Sequence, residues 1–354
     1  MEDVYISTKD VDGNWKKAQR VSTRINTSEH DAAVAISPDG SKLILYKNNH
    51  HGTGELYASI LKGYTWSTPE KMGGGINTKY LENSATISAD KKTIYFVSNR
   101  PHGIGKQDIY VAHKKDDGTW GEAKNLGNQI NTPYDEDAPF IHADGKHLYF
   151  CSKGYNSMGG YDIFRTTYNE ETESWEKPEN LGYPINTPDN DVFFVWSPDG
   201  KRAYFSSHHE DSYGDQDIYM MTLPHDEKAV IVLKGIIREK KNQRAIYAEI
   251  HIRNNDTKEE VAVFHSNSFS GKYTVVLPAD GHYAINIIAE GFIPTSDRFD
   301  LPKKDGYYEK ELDFELEKKE DGSIVELKNV FFENNKADLN LSLIHISEPT
   351  RLGM

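Results

Sequence analysis

An all-β chain is what the sequence predicts: a β-propeller, then a small β-sandwich, then the first strand of a further domain. Three observations carry it. A unit of 51 to 55 residues recurs through residues 1–224. Short runs bounded by turn residues fill 228–318 without a single Trp. The composition suits strands, with 21 Tyr, 14 Phe, 5 Trp and 27 Gly among 354 residues.

The rest of the composition narrows the function. Lys+Arg 41 against Asp+Glu 55 gives a net charge of −14, which argues against a nucleic-acid surface or a basic face for anionic lipid. Hydrophobic residues at 37% and aromatics at 11% mark a folded chain. The one cysteine, Cys151, permits no internal disulfide. The longest aliphatic run, Ala229 to Leu233, is far short of the roughly 18 residues a membrane span needs. Met1-Glu2-Asp3-Val4 has neither the basic start nor the apolar run of a secretory leader, so any targeting signal is expected upstream of this fragment.

The repeat keeps four markers in phase. Trp15, Trp66, Trp120 and Trp175 each precede an Ile-Asn-Thr by ten residues, at Ile25, Ile76, Ile130 and Ile185. Fourteen residues after each Ile stands an Asp: Asp39, Asp90, Asp144 and Asp199. Three of these are followed by Gly, the residue that accepts the positive φ of a tight hairpin; the second copy has Lys91 instead. An acid–aliphatic–aromatic triplet follows, at Glu55, Asp108, Asp162 and Asp217, with an earlier copy at Asp3. The third unit reads as a strand over 138–142, the Asp144-Gly145 turn, a strand over 147–152 that is apolar on both faces, a Gly-rich loop, a strand at Asp162, and a Trp-bearing fourth strand ending at Ile185-Asn186-Thr187. Four antiparallel strands in about 50 residues make one propeller blade. A lone blade cannot bury both faces, so blades stack around an axis.

The Ser197-Pro198-Asp199-Gly200-Lys201 turn, the Tyr204-Phe205-Ser206-Ser207 strand and the Gly214-Asp215-Gln216-Asp217-Ile218-Tyr219 strand resemble the TolB-type, WD-like propeller repeat of bacterial envelope proteins. The resemblance covers about residues 1–223 and implies a ring of five or more blades. Three whole blades and two part-blades are expected here, with an N-terminal truncation. In residues 228–318, Gly271-Lys272-Tyr273, Leu277-Pro278, Gly281-His282-Tyr283 and Gly291-Phe292 resemble the carboxypeptidase-regulatory-like module, an antiparallel sandwich of about seven strands. After a charged linker, Ile324 to Leu339 resembles the start of an OmpA-like peptidoglycan-binding domain, assigned to 322–340. The tail from Leu341 to Arg351 reads as a translated sequencing adapter, so 341–354 is expected to be an artefact of assembly.

One set of residues stands out as a candidate site. Six residues after each repeat Ile stands a carboxylate: Asp31, Glu82, Glu136 and Asp191. Preceding the innermost strand of each blade, the four would ring a channel mouth and could bind a cation or a basic peptide segment of a partner. The alternative is that each accepts backbone N–H bonds from an adjacent loop. The triplet acids read as turn-holders, the repeated Trp as packing between blades, and Cys151 as a strand residue in the slot of Val97 and Ser206. His50-His51 and His208-His209 lack a third ligand, and neither zinc nor any cofactor is expected.

Enzyme readings fare poorly. No Gly-x-Ser-x-Gly elbow occurs, and the domain after the propeller is β rather than α/β. Asp116-Asp117-Gly118-Thr119-Trp120 faintly resembles a sialidase Asp-box, but clustered arginines are missing. The domain order resembles periplasmic proteins of Gram-negative bacteria, some tied to type IX secretion. That resemblance implies a non-catalytic scaffold at the outer membrane, its propeller docking envelope proteins and its OmpA-like end gripping peptidoglycan. A carbohydrate-binding or glycosidase propeller, and a TolB-like peptide-binding translocation component, are the alternatives.

Overall fold

The computed structural model describes residues 3–48, 53–197, 202–209, 212–222, 230–278, 281–301 and 308–319. The expected OmpA-like start at 322–340, the tail at 341–354 and His50-His51 lie outside the described residues. Among the described residues the fold is all-β, in several mainly antiparallel sheets.

Five sheets follow one another along the chain. The first pairs β1 (Tyr5–Ile6) with β2 (Gln19–Arg20). The second orders β3 (Asp31–Ile36), β4 (Lys42–Asn48) and β5 (Gly54–Lys62), with β6 (Thr65–Trp66) and β7 (Glu70–Lys71) both on β5. The third runs β8 (Ala85–Ile87), β9 (Thr93–Ser98), β10 (Asp108–His113), β11 (Lys124–Asn125). The fourth runs β12 (Glu136–Ile141), β13 (His147–Ser152) and β14 (Asp162–Asn169), with β15 (Ser174–Trp175) and β16 (Glu179–Asn180) on β14. The fifth runs β17 (Val192–Trp196), β18 (Arg202–Ser207), β19 (Asp217–Thr222). The fourth strand is short or split into two fragments rather than one continuous strand, and Ile-Asn-Thr lies beyond it in a turn.

Side chains alternate across a strand, so each sheet has two faces to fill. On β4, Leu43 and Leu45 join Val4 and Ile25 in a cluster with the first sheet, while Ile44 points the other way, to Leu56, Phe96 and Ile94 of the next cluster. On β13, Leu148 and Phe150 meet Ile109 of the third sheet, and Tyr149 meets Phe194 and Phe205 of the fifth. The first strands of neighbouring sheets lie against one another, β3 by β8, β8 by β12, and β12 by β17. β3, β12 and β17 each carry a bulge, with Ala138 at φ 47° and Phe193 at φ 58° at corresponding positions.

Turn chemistry follows the repeat. Gly40 and Gly145 sit at φ 69° and 70°, and in the copy without glycine Lys91 takes φ 59°. A non-glycine there costs roughly 1–2 kcal/mol. Lys91 offsets this by reaching across to Asp39 at 2.6 Å, a largely buried ion pair between two turns.

The remaining strands form two sheets around one core. The first contains β20 (Val230–Glu239), with β23 (Lys272–Pro278) on one side and β26 (Tyr308–Glu311) and β27 (Phe314–Leu316) on the other. The second orders β22 (Glu260–His265), β21 (Glu249–Asn254), β24 (Gly281–Ile288), β25 (Thr295–Leu301). Ile231, Leu233, Ile250, Ile252, Val275 and Ile285 fill the space between them. The expectation of an entirely antiparallel sandwich is corrected here: β26 and β27 pair with β20 in parallel. The chain leaves β25 in one sheet and returns in the other, and that crossover sets the direction of β26. This sandwich abuts one end of the earlier sheets. Ala143 of the β12–β13 turn packs on Val232 and Val276, Lys92 pairs with Glu260 at 2.7 Å, and Asn267 Nδ2 donates to the Gly63 carbonyl at 2.6 Å.

Candidate functional site

The connector between successive sheets carries the recurring polar residues, and each copy is bonded on both sides. On the side of the preceding sheet, Asn binds like a strip of backbone. Asn26 Oδ1 accepts from Val4 N–H at 2.7 Å and its Nδ2 donates to Val4 C=O at 3.0 Å. Asn77 treats Leu56 the same way, Asn131 Ile109, and Asn186 Ile163. The clamped residue is always the one after the triplet acid.

On the side of the following sheet stand the four predicted acids. Asp31, Glu82, Glu136 and Asp191 are each 0% exposed. Each accepts from the backbone N–H of the Thr four residues earlier: Thr27, Thr78, Thr132 and Thr187, at 2.5–2.9 Å. Each also accepts from that Thr hydroxyl. A third donor comes from the second strand of the following sheet: Lys47 for Asp31, then Ser98, Ser152 and Ser207 at 2.5–2.7 Å. The structure therefore brings each acid to its own connector, with its oxygens occupied from within.

The copies differ in counter-charge. Lys47 pairs with Asp31 and also donates to the Ile25 carbonyl at 2.9 Å. Arg100 donates to the Gly75 and Ile76 carbonyls and lies 3.4 Å from Glu82. In the third copy a neutral group does this work: Tyr155 Oη donates to the Ile130 carbonyl at 2.5 Å. Among the described residues no Lys or Arg pairs with Glu136 or Asp191. The consequence is electrostatic. Burial opposes ionisation of Asp31, but Lys47 and the Thr27 donors outweigh it and hold the carboxyl below its ordinary range. Burial prevails at Glu136 over the Thr132 and Ser152 donors and pushes it up to about 7.

Other motif residues are likewise engaged. Asp108 accepts from Ile104 N–H, Gly105 N–H and Asn125, and Asp162 repeats this with Met158, Gly159 and Asn180. Trp120 and Trp175 are buried between sheets, Trp66 is half-buried, and Trp15 is 57% exposed under Lys9. Cys151 is buried, and burial pushes its thiol well up. His208 Nδ1 meets the Asp215 carbonyl at 2.6 Å, and His209 packs on Tyr219.

Sequence reading missed two features. The Asn and Thr of the connector were markers without assigned roles, because spacing shows recurrence and not partners. The second is a cluster at the β12–β13 turn, His142, Asp144 and His147, whose ligand atoms lie within 4.8 Å of one another. Asp144 Oδ2 is 3.0 Å from His142 Nδ1 and 2.6 Å from His147 Nδ1. Burial opposes its ionisation, yet the two imidazoles hold the carboxyl well below its usual range. The signal was available: corresponding slots hold Ser37, Ser88 and Ser197, and Lys42, Thr93 and Arg202. Among the described residues this is the one cluster of three such side chains within ligand distance, and no helix is long and apolar enough to cross a membrane.

No protein-family model matches the chain, and no curated protein matches it. Solved structures similar to it include TolB from Acinetobacter baumannii, 15% identical over 78% of this chain and 60% of that one, with TM-score 0.37. A putative TolB from Agrobacterium tumefaciens is 17% identical, covering 78% and 90%, with TM-score 0.38. An alpha-L-arabinofuranosidase from Lactobacillus brevis is 15% identical, covering 52% and 70%, with TM-score 0.36. The chain thus spans less than two thirds of the first of these. Scores this low carry no argument about activity.

Proposed function

We propose that the five successive sheets are blades of a TolB-like β-propeller, and that the chain is a non-catalytic scaffold that docks protein partners. One observation carries this reading: the recurring Asn and carboxylate residues staple each connector to the sheets on either side, so the repeat invests its polar groups in a frame. Asp31, Glu82, Glu136 and Asp191 serve partners only indirectly in this reading, by holding the connectors still. The successive contacts of first strands, β3 with β8, β8 with β12 and β12 with β17, support the propeller arrangement.

The finer assignment rests on sequence resemblance. In it the protein works in the periplasm at the outer membrane, the OmpA-like start at 322–340 leads to a peptidoglycan anchor, and the partners are envelope proteins, including those of type IX secretion.

The test is photo-crosslinking in cells of the source organism, from exposed positions on the fifth sheet (Phe193) and the sandwich (Tyr247). Reproducible adducts to envelope proteins are expected. Turnover of a peptide or glycoside by the purified chain, abolished by one carboxylate substitution that leaves the fold intact, would overturn the reading.

A further inference from the structure

We propose that His142, Asp144 and His147 form a binding site for one zinc-class divalent cation at the turn between β12 and β13. The donor set is two imidazole nitrogens and one carboxylate oxygen, which suits such a cation with a fourth position left for water or an incoming donor. The spacing fits. Ligands about 2.1 Å from a tetrahedral ion stand roughly 3.4 Å apart. Here Asp144 Oδ2 lies 3.0 and 2.6 Å from the two Nδ1 atoms, and all three ligand atoms fall within 4.8 Å. Admitting an ion therefore spreads Asp144 from the two rings by less than about 1 Å.

The turn itself does not need imidazoles. In sister copies a serine does the holding: Ser37 Oγ and Ser88 Oγ each donate to the turn Asp at 2.5 Å and accept the N–H of Lys42 or Thr93. Only the third copy has histidine in both flanking slots. The neighbourhood is also built. His142 is 6% exposed and lies edge-on to Trp196, with ring centroids 6.3 Å apart. His147 retains 21% of its side-chain exposure, which leaves a way in from solvent. The residue between the first two ligands, Ala143, is seated on Val232 and Val276 of the sandwich. A bound cation would therefore stiffen the turn on which the sandwich rests. On binding, each ring gives its Nδ1 lone pair to the ion, and any Nδ1 proton passes to Nε2 or to solvent.

The experiment is calorimetric titration of the chelator-washed chain with Zn²⁺, alongside the double variant His142→Ser/His147→Thr, which installs the second copy's side chains. One equivalent is expected to bind the parent chain. The double variant should lose more than about 100-fold in affinity for that equivalent, since even removing a group that merely orients a metal ligand costs about 10–100-fold. Zinc should raise the melting midpoint of the parent alone. Equal zinc affinity and stoichiometry in both proteins, or no binding by the parent, would overturn the proposal. Should the double variant fail to fold, His147→Thr alone gives the same comparison, because His147 is the more exposed ligand.

Discussion

The first and third connectors solve one mechanical problem with opposite electrostatics. Both bury a carboxylate completely, and both feed it a Thr N–H and a Thr hydroxyl. The first adds a cation, Lys47, that also holds the Ile25 carbonyl. The third divides those tasks between two neutral hydroxyls, Ser152 for the carboxylate and Tyr155 for the Ile130 carbonyl. The same backbone geometry therefore tolerates either a buried ion pair or a buried acid that resists ionisation. The staple, not the charge, is what the repeat preserves.

Between these two connectors, the largest effect comes from breaking the pair. Lys47→Met leaves Asp31 buried without its cation, and removing one partner of a buried pair costs about 3–5 kcal/mol. Urea denaturation at pH 7 measures it. The penalty should shrink in acid, where Asp31 takes up a proton. An unchanged midpoint would mean the first connector does not depend on its charge.

The third connector responds to pH in the other direction. A carboxyl raised from an ordinary value near 4.5 to about 7 binds its proton more tightly when folded. Its contribution to stability is thus intact below pH 4.5 and is lost as pH rises towards about 7. The shift corresponds to about 3 kcal/mol. Glu136→Gln should flatten this part of the stability profile, because its amide oxygen can accept the Thr132 N–H while its NH₂ faces the two hydroxyls. A variant that keeps the parent's slope between pH 4.5 and 7 would assign the titration elsewhere. Asp31 has the opposite sign: its lowered pKa supplies stability that is lost as pH falls through the folded value.

A smaller effect separates the turns. Gly145 is at φ 70°, and a Cβ added there would meet nothing within 4 Å, so Gly145→Ala tests backbone strain alone. A loss of about 1 kcal/mol is expected from thermal or urea unfolding. Lys91 shows that the repeat accepts this strain where a cross-turn pair to Asp39 offsets it.

Much of this was legible in the sequence, and the exceptions have physical reasons. Four markers in phase gave the unit and its strands, and the apolar run over 147–152 gave a strand buried on both faces. The pattern carries the fourth strand as far as Ile-Asn-Thr, but residues 174–180 pair in two fragments and Ile185 lies beyond them in a turn, because sequence pattern does not resolve which short segments complete a ladder. The parallel β26 and β27 could not be read, since pairing direction is decided by where a crossover lands and not by residue type. The spacing singles out the four acids and offers backbone N–H bonds from a loop as one reading of them, but their donors come from Thr four residues back and from a strand sixteen residues ahead, contacts that only the folded chain reveals. His142 and His147 differ from their sister slots in plain view, yet become a cluster only when the hairpin closes around Asp144.

The most direct test of the frame is the unfolding midpoint of Glu82→Ala at pH 7. Glu82 accepts from Thr78 N–H, Thr78 Oγ1 and Ser98 Oγ, and sits beside Arg100. Stranding several buried donors at about 1–3 kcal/mol each should lower the midpoint sharply or prevent folding. A protein that melts as the parent does but no longer captures its partners would contradict the account, and would place Glu82 on a binding surface instead.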